Sequence, residues 1–298
     1  MKFGKVNNPD RIDFSLPEDH PDTARVLSGI SQAVEPLRIY VGCAKWNRQD
    51  LKNFYPRGTK NELEYYGRQF NCIELNATFY RNFPSSQFEK WYHAVPAGFK
   101  FFPKVHQNIS HLKRLVHVED ALAEFSDGIV HLNEKLGTVF LQMHSNFAPK
   151  DFGRLVHFIA LWPKAIPLAV ELRHTDWFND AAVAQELCHL LEENNIANVI
   201  VDTAGRRDLL HMRLTNNEAF IRFVGANHTT DYSRMDDWIR RLQVWKERGL
   251  QRIHFFVHQH MEQDSPLLSA YFIKNMNAAL GTDLKIPVTL DSGMNTLF

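Results

Sequence analysis

A single (β/α)8 barrel of the TIM type, an α/β fold, preceded by an N-terminal extension, is the fold class this amino-acid sequence predicts. Three observations lead there. Eight short apolar runs alternate with stretches of helical spacing, as repeated βα units do. Several runs carry charged or amide residues at every second position, the pattern of strands with one polar face. The length of 298 residues exceeds the roughly 250 of a typical barrel, and a polar N-terminal stretch accounts for the excess.

Residues 1–38 form the expected extension. Pro9, Pro17, Pro21 and Pro36 punctuate it, and only Thr23 to Val34 has helical spacing. Residues 39–298 are expected to be the barrel, tail included. Its strands read Ile39 to Trp46, Cys72 to Tyr80, Phe99 to Val105, Thr138 to Met143, Leu168 to His174, Ala197 to Thr203, Ala219 to Gly225 and Arg252 to Gln259. Helices are expected at Asn61 to Phe70, Glu119 to Leu136, Lys150 to Leu161 and Asp180 to Asn194. Ser86 with Glu89 makes a capping box ahead of Phe88, Trp91 and Tyr92, and Ser233 with Asp236 repeats it ahead of Trp238, Ile239 and Leu242, in a helix that Gly249 ends. Ser265 with Pro266 opens the last helix and Gly281 closes it. Pro103 marks a bulge or strand end, because proline removes a ladder hydrogen bond. Two long connections, Val105 to Val118 and Asp202 to Glu218, follow strand carboxyl ends, where barrel loops build sites.

Composition bounds the function classes. Apolar residues make up 44% and charged residues 23%, enough for a large core. The formal charge is zero, so no global field recruits nucleic acid, an acidic membrane or a polyanion. Met1 to Asn8 lacks an apolar signal region, and no run approaches the roughly 18 apolar residues that span a bilayer. Cys43, Cys72 and Cys188 are far apart and lack Cys-x-x-Cys spacing, which argues against disulfides and thiolate zinc. A soluble chain in a reducing cytoplasm, without membrane contact, is the expectation.

Period two lets one parity of each strand be read as interior. Ile73, Leu75, Ala77 and Phe79 oppose Glu74, Asn76, Thr78 and Tyr80; Leu168, Val170 and Leu172 oppose Ala169, Glu171 and Arg173. Val199 and Val201 oppose Asn198, Ile200 and Asp202, while Gln142, Arg222 and Lys104 are set against apolar neighbours. The polar parity would gather Glu74, Lys104, Glu171, Arg173, Asp202 and Arg222 into one pocket of three acids and three bases. A neutral set is what a low-dielectric interior can hold, because an unpaired buried charge costs several kcal/mol. Glu74, Glu171 and Asp202 are the candidate catalytic acids and bases. Arg173 and Arg222 suit bidentate binding of a carboxylate or phosphate, and Lys104 can serve as a point charge or desolvated amine. The same set also reads as interlocked ion pairs that fill the barrel top.

Other motifs are weaker. His258-Gln-His260 could add to a metal site beside a carboxylate, although with 15 histidines close pairs arise easily, and no metal site is assigned. The loop holding His111, Lys113 and Arg114 could receive an anion, and Trp46 and Trp177 could stack on a base or sugar; solvated charges and packed indoles explain them equally. Dinucleotide, P-loop and Gly-x-Ser-x-Gly motifs do not occur.

Taken together, several motifs resemble the YecE-like family, domain of unknown function 72. They are Ile39-Tyr-Val-Gly-Cys-Ala-Lys-Trp46, Tyr55-Pro56, Glu64-Tyr65-Tyr66, Ile73-Glu-Leu-Asn-Ala-Thr-Phe-Tyr80, Phe99-Lys-Phe with Lys104, and Ser110-His111-Leu-Lys113-Arg114. Phe140-Leu-Gln142, Ala169-Val-Glu171-Leu-Arg173-His174 with Trp177, and Phe220-Ile-Arg222-Phe-Val-Gly225 complete them, over roughly Ile39 to Leu280. The resemblance implies a TIM-type barrel, with Glu74, Asn76, Thr78, Tyr80, Glu171, Arg173 and Arg222 at motif positions. It implies no reaction or cofactor. Strand eight departs from the family pattern, ending His258-Gln-His260 where an asparagine-rich stretch is common, and residues 1–37 are additional.

The leading expectation is an enzyme for a small or medium anionic substrate, with Asn76, Thr78, Tyr80, Lys104, His111, Arg173, His174, Trp177 and Arg222 as substrate-binding residues. A nucleic-acid-binding or metal-dependent nuclease-like protein and a non-catalytic ligand-binding or scaffold barrel are the alternatives.

Overall fold

The computed structural model describes residues 4–29 and 36–289, so most of the expected helical stretch after Gly29 and the last residues of the tail lie outside the described residues. Its strands are β1 (Arg38–Cys43), β2 (Cys72–Leu75), β3 (Lys100–Pro103), β4 (Val139–Gln142), β5 (Leu168–Glu171), β6 (Ala197–Asn198), β7 (Ile200–Thr203), β8 (Glu218–Gly225) and β9 (Arg252–Gln259). All pair in parallel, in three sheets: β1-β9-β8-β7, β2-β3 and β4-β5-β6. The helices are α1 (Pro21–Ser28), α2 (Glu62–Gln69), α3 (Ala77–Tyr80), α4 (Ser85–Ala94), α5 (Glu119–Ile129), α6 (Phe152–Leu161), α7 (Asp176–Asn179), α8 (Ala181–Glu193), α9 (Thr230–Glu247) and α10 (Ser265–Leu280). Parallel pairing requires crossovers, and these helices supply them.

The three sheets meet through specific bonds. Between β3 and β4, Gly137 donates to the Phe101 carbonyl at 2.7 Å and Val105 to that of Phe140 at 3.0 Å. Between β1 and β2 the links are side chains. Asn71 Nδ2 donates to the Ile39 carbonyl at 2.7 Å while its Oδ1 accepts from Val41 N–H at 3.0 Å. The Tyr66 hydroxyl accepts from Cys43 N–H at 2.8 Å and donates to the Cys72 carbonyl at 3.1 Å. The backbones run so close that a Cβ on Gly42 would lie 2.3 Å from the Cys72 carbonyl oxygen, so no larger residue fits.

Two expected strands are corrected. The second ends at Leu75, where the chain turns into α3; the Thr78 hydroxyl lies 2.9 Å from the Leu75 carbonyl and 2.8 Å from that of Lys104, tying the turn to β3. The sixth is interrupted at Val199, leaving β6 and β7 as separate ladders. Two expected caps are also absent. No side chain caps α4, which starts at Ser85 behind Pro84. Ser233 lies inside α9, because the Asp231 carboxylate takes the Ala226 and His228 N–H groups and starts the helix earlier. Asn61 and Asp180 do cap α2 and α8, and Gly281 closes α10 at φ 65°.

Large apolar clusters fill the space between strands and helices. A separate inner cluster joins Cys72, Phe102, Phe140, Ala169, Ala197, Val199, Val201, Phe220 and Phe256. Phe102, Phe140, Phe220 and Phe256 pack ring on ring at 4.9–6.0 Å. The N-terminal segment is strapped to the surface: the Gly4 carbonyl accepts from Gly205 N–H, Phe14 lies 4.5 Å from the Arg234 guanidinium, and Thr23 donates to the Met212 carbonyl. Among the described residues no helix is long and apolar enough to cross a membrane.

Candidate functional site at the strand carboxyl ends

Side chains from six strands or their trailing residues converge above the inner aromatic cluster. Arg222 of β8 lies at the centre, its guanidinium 5.4 Å from the Phe140 ring. Nε and Nη2 clamp both oxygens of Glu74 at 2.9 Å, and Nη1 reaches Glu171 at 2.7 Å. Glu171 also accepts from Arg173 Nε at 2.6 Å and from Gln142 Nε2 at 2.9 Å, while Glu74 accepts from Asn76 Nδ2 at 2.8 Å. Both carboxylates are fully buried. Charge-assisted bonds of this number hold two buried anions that burial alone would neutralise.

The electrostatics follow. Burial pushes the Glu74 carboxyl up, but Arg222 and then His258 outweigh it and hold the group well below the usual carboxylate range. For Glu171 burial is outweighed by Arg173 and Arg222, which bring it down to about 2. Their cationic partners thus hold both carboxylates in the charged form. His258 Nε2 lies 3.0 Å from Glu74; burial lowers its pKa, and the Glu74 charge reverses that into a net rise.

Lys104 differs from the rest. Only 2% exposed, its Nζ donates to Gln142 Oε1 at 2.7 Å and lies 4.0 Å from the centre of the Phe79 ring. Burial, reinforced by Arg222 and opposed by Glu171, lowers it to about 7. His111 meets Phe79 edge to face at 4.8 Å and accepts or donates at Ser110 Oγ at 2.9 Å; burial and then Lys104 push it down to about 4.

Glu74, Asn76, Lys104, Glu171, Arg173 and Arg222 are thus brought together, with His111 next to them through Phe79. Asp202 is not. It points to the helix side of β7, where it accepts from Arg234 Nη2 at 2.9 Å, from Trp238 Nε1 at 2.8 Å and from Arg207. The parity expected for the sixth strand is therefore inverted: Val199 and Val201 face the inner cluster, and Ile200 faces the helices. Trp177 is also corrected, being fully buried with its indole N–H on the Phe147 carbonyl at 2.7 Å and its ring stacked on Phe147. Thr78 is taken up by the turn already described. Tyr80 is 59% exposed at the rim, and His174 is half-buried, its Nδ1 accepting from Asp176 N–H. Trp46 packs against Trp91.

Sequence reasoning missed Phe79, assigned to the outward parity, and treated His258 as a metal candidate. The structure gives His258 to Glu74, and among the described residues no three His, Cys, Asp or Glu side chains converge as a metal site would require. Glu74 and Arg222 on an inward parity were the signal that an imidazole at the end of the neighbouring strand would meet them.

Residues 40–289 match the family described as protein of unknown function DUF72. The UPF0759 protein YecE of Escherichia coli (strain K12) is 28% identical over 231 residues, covering 70% of this chain and 82% of that protein. The UPF0759 protein YunF of Bacillus subtilis (strain 168) is 27% identical over 202 residues, covering 63% and 71%. Crystal structures of DUF72 family proteins from Enterococcus faecalis V583 and Thermotoga maritima MSB8 superpose with TM-scores of 0.67 and 0.65 at 19% and 24% identity. The two cover 81% and 80% of this chain and 98% and 99% of their own, and the likeness is one of fold.

Proposed function

The chain belongs to the DUF72 family, and we propose that it is an enzyme acting on a small or medium-sized anionic substrate at the carboxyl ends of its strands. One observation carries this reading. With Asp202 held elsewhere, two carboxylates face three cationic side chains, and both carboxylates are already engaged by Arg173, Arg222 and His258. Lys104 has an amide and a ring as partners but no carboxylate within ion-pair distance among the described residues. A buried ammonium without a counter-ion either binds an anion or gives up its proton, and an enzyme can use both.

In this reading Glu74 and Glu171 aim the guanidiniums of Arg222 and Arg173, which stabilise negative charge on the substrate. Lys104, poised near neutrality, transfers the proton. Gln142 orients the lysine and Glu171 at once. The strand neighbours run in a cycle through the three sheets and the β1–β2 and β3–β4 links, which supports a closed (β/α)8 barrel over residues 39–298, with residues 1–38 as its extension. In such a barrel chemistry belongs at the carboxyl face. The three cysteines are buried and unpaired, which supports a reducing, cytoplasmic setting.

Calorimetric titration with inorganic phosphate and with succinate tests the site, alongside a turnover screen of hydroxy acids, keto acids and phosphate esters. Lys104→Met and Arg173→Ala should each weaken anion binding about tenfold, the loss of one charge-assisted contact, and Lys104→Met should abolish turnover. Equal affinities for wild type and Lys104→Met, with the fold intact, would make the cluster a structural ion-pair set and overturn the reading.

A further inference from the structure

Two lysines are buried among the described residues, and their partners differ. Lys135 donates to the main-chain carbonyls of Tyr92 and Val95 at 2.6 and 2.7 Å, a pair of acceptors that favours the ammonium. Lys104 has one acceptor, Gln142 Oε1 at 2.7 Å, and a neutral amine makes that bond too. Gln142 is held in place: its Nε2 donates to both Glu171 oxygens at 2.9 Å, which keeps its own oxygen towards Nζ. The lysine's main chain is pinned as well, its N–H donating to the Leu75 carbonyl at 3.2 Å and its carbonyl 2.8 Å from the Thr78 hydroxyl. Phe79 covers Nζ and meets the exposed Tyr80 at 4.9 Å between ring centres, so a turn of that one side chain uncovers the amine from the rim.

Burial, reinforced by Arg222, leaves about half of Lys104 as free amine at neutral pH, where an ordinary lysine has on the order of one part in a thousand. A desolvated free amine beside other cations is a nucleophile towards carbonyl carbon. When Nζ adds to that carbon, the two protons it gives up pass to the carbonyl oxygen, which leaves as water, and a carbon–nitrogen double bond remains. The imine then takes up a proton. That cation has no carboxylate within ion-pair distance of Nζ among the described residues, so its counter-ion has to arrive with the substrate. An oxo acid brings the carbonyl and the anion in one small molecule.

We propose that Lys104 forms an imine with a small 2-oxo acid, Nζ bonding to the carbonyl carbon while the carboxylate beside it offsets the charge on nitrogen. Such chemistry rests on the cluster being an anion site and narrows the anion to one class.

Pyruvate is the probe, with acetone as its neutral counterpart, added to the full chain at neutral pH with sodium cyanoborohydride, which reduces an imine to a stable secondary amine. Intact mass should rise by one pyruvic acid less one oxygen atom, and peptide mapping should show the adduct forming on Lys104 at least about tenfold faster than on Lys135 or any exposed lysine. Excess succinate should slow the labelling, and acetone should label Lys104 about tenfold more slowly, lacking one charge-assisted contact. No adduct on Lys104 at millimolar pyruvate would overturn the imine, as would labelling spread evenly over the exposed lysines or acetone reacting as fast as pyruvate. If Lys104→Met still weakens succinate binding while Lys104 stays unlabelled in the wild type, imine formation alone fails and the anion site stands. Equal succinate affinity in wild type and Lys104→Met overturns both.

Discussion

Replacing Lys104 by Met should make the protein slightly more stable at neutral pH and less stable in alkali. The lysine's folded pKa of about 7 lies below its ordinary value of 10.5. At about 1.4 kcal/mol per unit, carrying the charge inside costs roughly 5 kcal/mol below pH 7. The sign is fixed by proton counting: between about 7 and 10.5 the unfolded chain holds more protons at this residue, so the wild type gains stability as pH rises through that window. Methionine removes the penalty but leaves Gln142 Oε1 without its donor, costing about 1–3 kcal/mol, and Phe79 without its cation, costing about 1 kcal/mol. The net at pH 7 is a gain of about 1–3 kcal/mol. By about pH 10 most of the wild-type penalty has gone, so the difference between the two proteins should shift by about 3 kcal/mol in favour of the wild type. Urea unfolding of both across that pH range measures it. A pH-independent difference, or one that moves in favour of methionine, would refute the low-pKa lysine and with it the proton-transfer role.

Three other outcomes follow from the same geometry. Glu171 contributes stability above about pH 4.5 that is lost as pH falls towards 2; acid unfolding of Glu171→Gln should therefore show a flattened limb, and it should start about 3 kcal/mol less stable at neutral pH, because Arg173 and Arg222 lose a buried partner. Asp202→Asn should cost about 3–5 kcal/mol in urea unfolding, since Arg234 is itself buried, yet leave phosphate affinity at the Lys104 cluster unchanged. Asn71→Ala should cost about 2–3 kcal/mol and speed hydrogen exchange at Val41, whose amide it leaves without its acceptor; unchanged exchange there would rule out the amide as the link between β1 and β2.

Parity reading worked where a strand carries a charged or amide residue between apolar ones: Glu74, Gln142, Glu171 and Arg222 all point inward together. It failed at Asp202 because apolar Ile200 stands between Asn198 and the aspartate on that parity, so neither face of the strand is cleanly polar. Asp202 is held outward by Arg234 and Trp238, 32 and 36 residues later on a helix, together with Arg207 five residues on. The second strand was read too long for a similar reason: Ala77 to Tyr80 has the β-branched and aromatic make-up of a strand, whereas Thr78 finds its acceptors on Leu75 and distant Lys104. Lys104 was visible as a candidate, but its isolation from carboxylates was not, because isolation belongs to the assembled site.

The four phenylalanines at the centre act as an electrical insulator. Arg222 touches the layer from one side through Phe140, and His254 from the other through Phe102 and Phe220. A slab of hydrocarbon screens poorly but holds no mobile charge or proton-carrying group, so no proton can be relayed from Glu218 to Glu74 along the axis. Each end of the molecule can therefore take up or release protons by its own route, while a change of charge at one end is still felt at the other through the poorly screening layer.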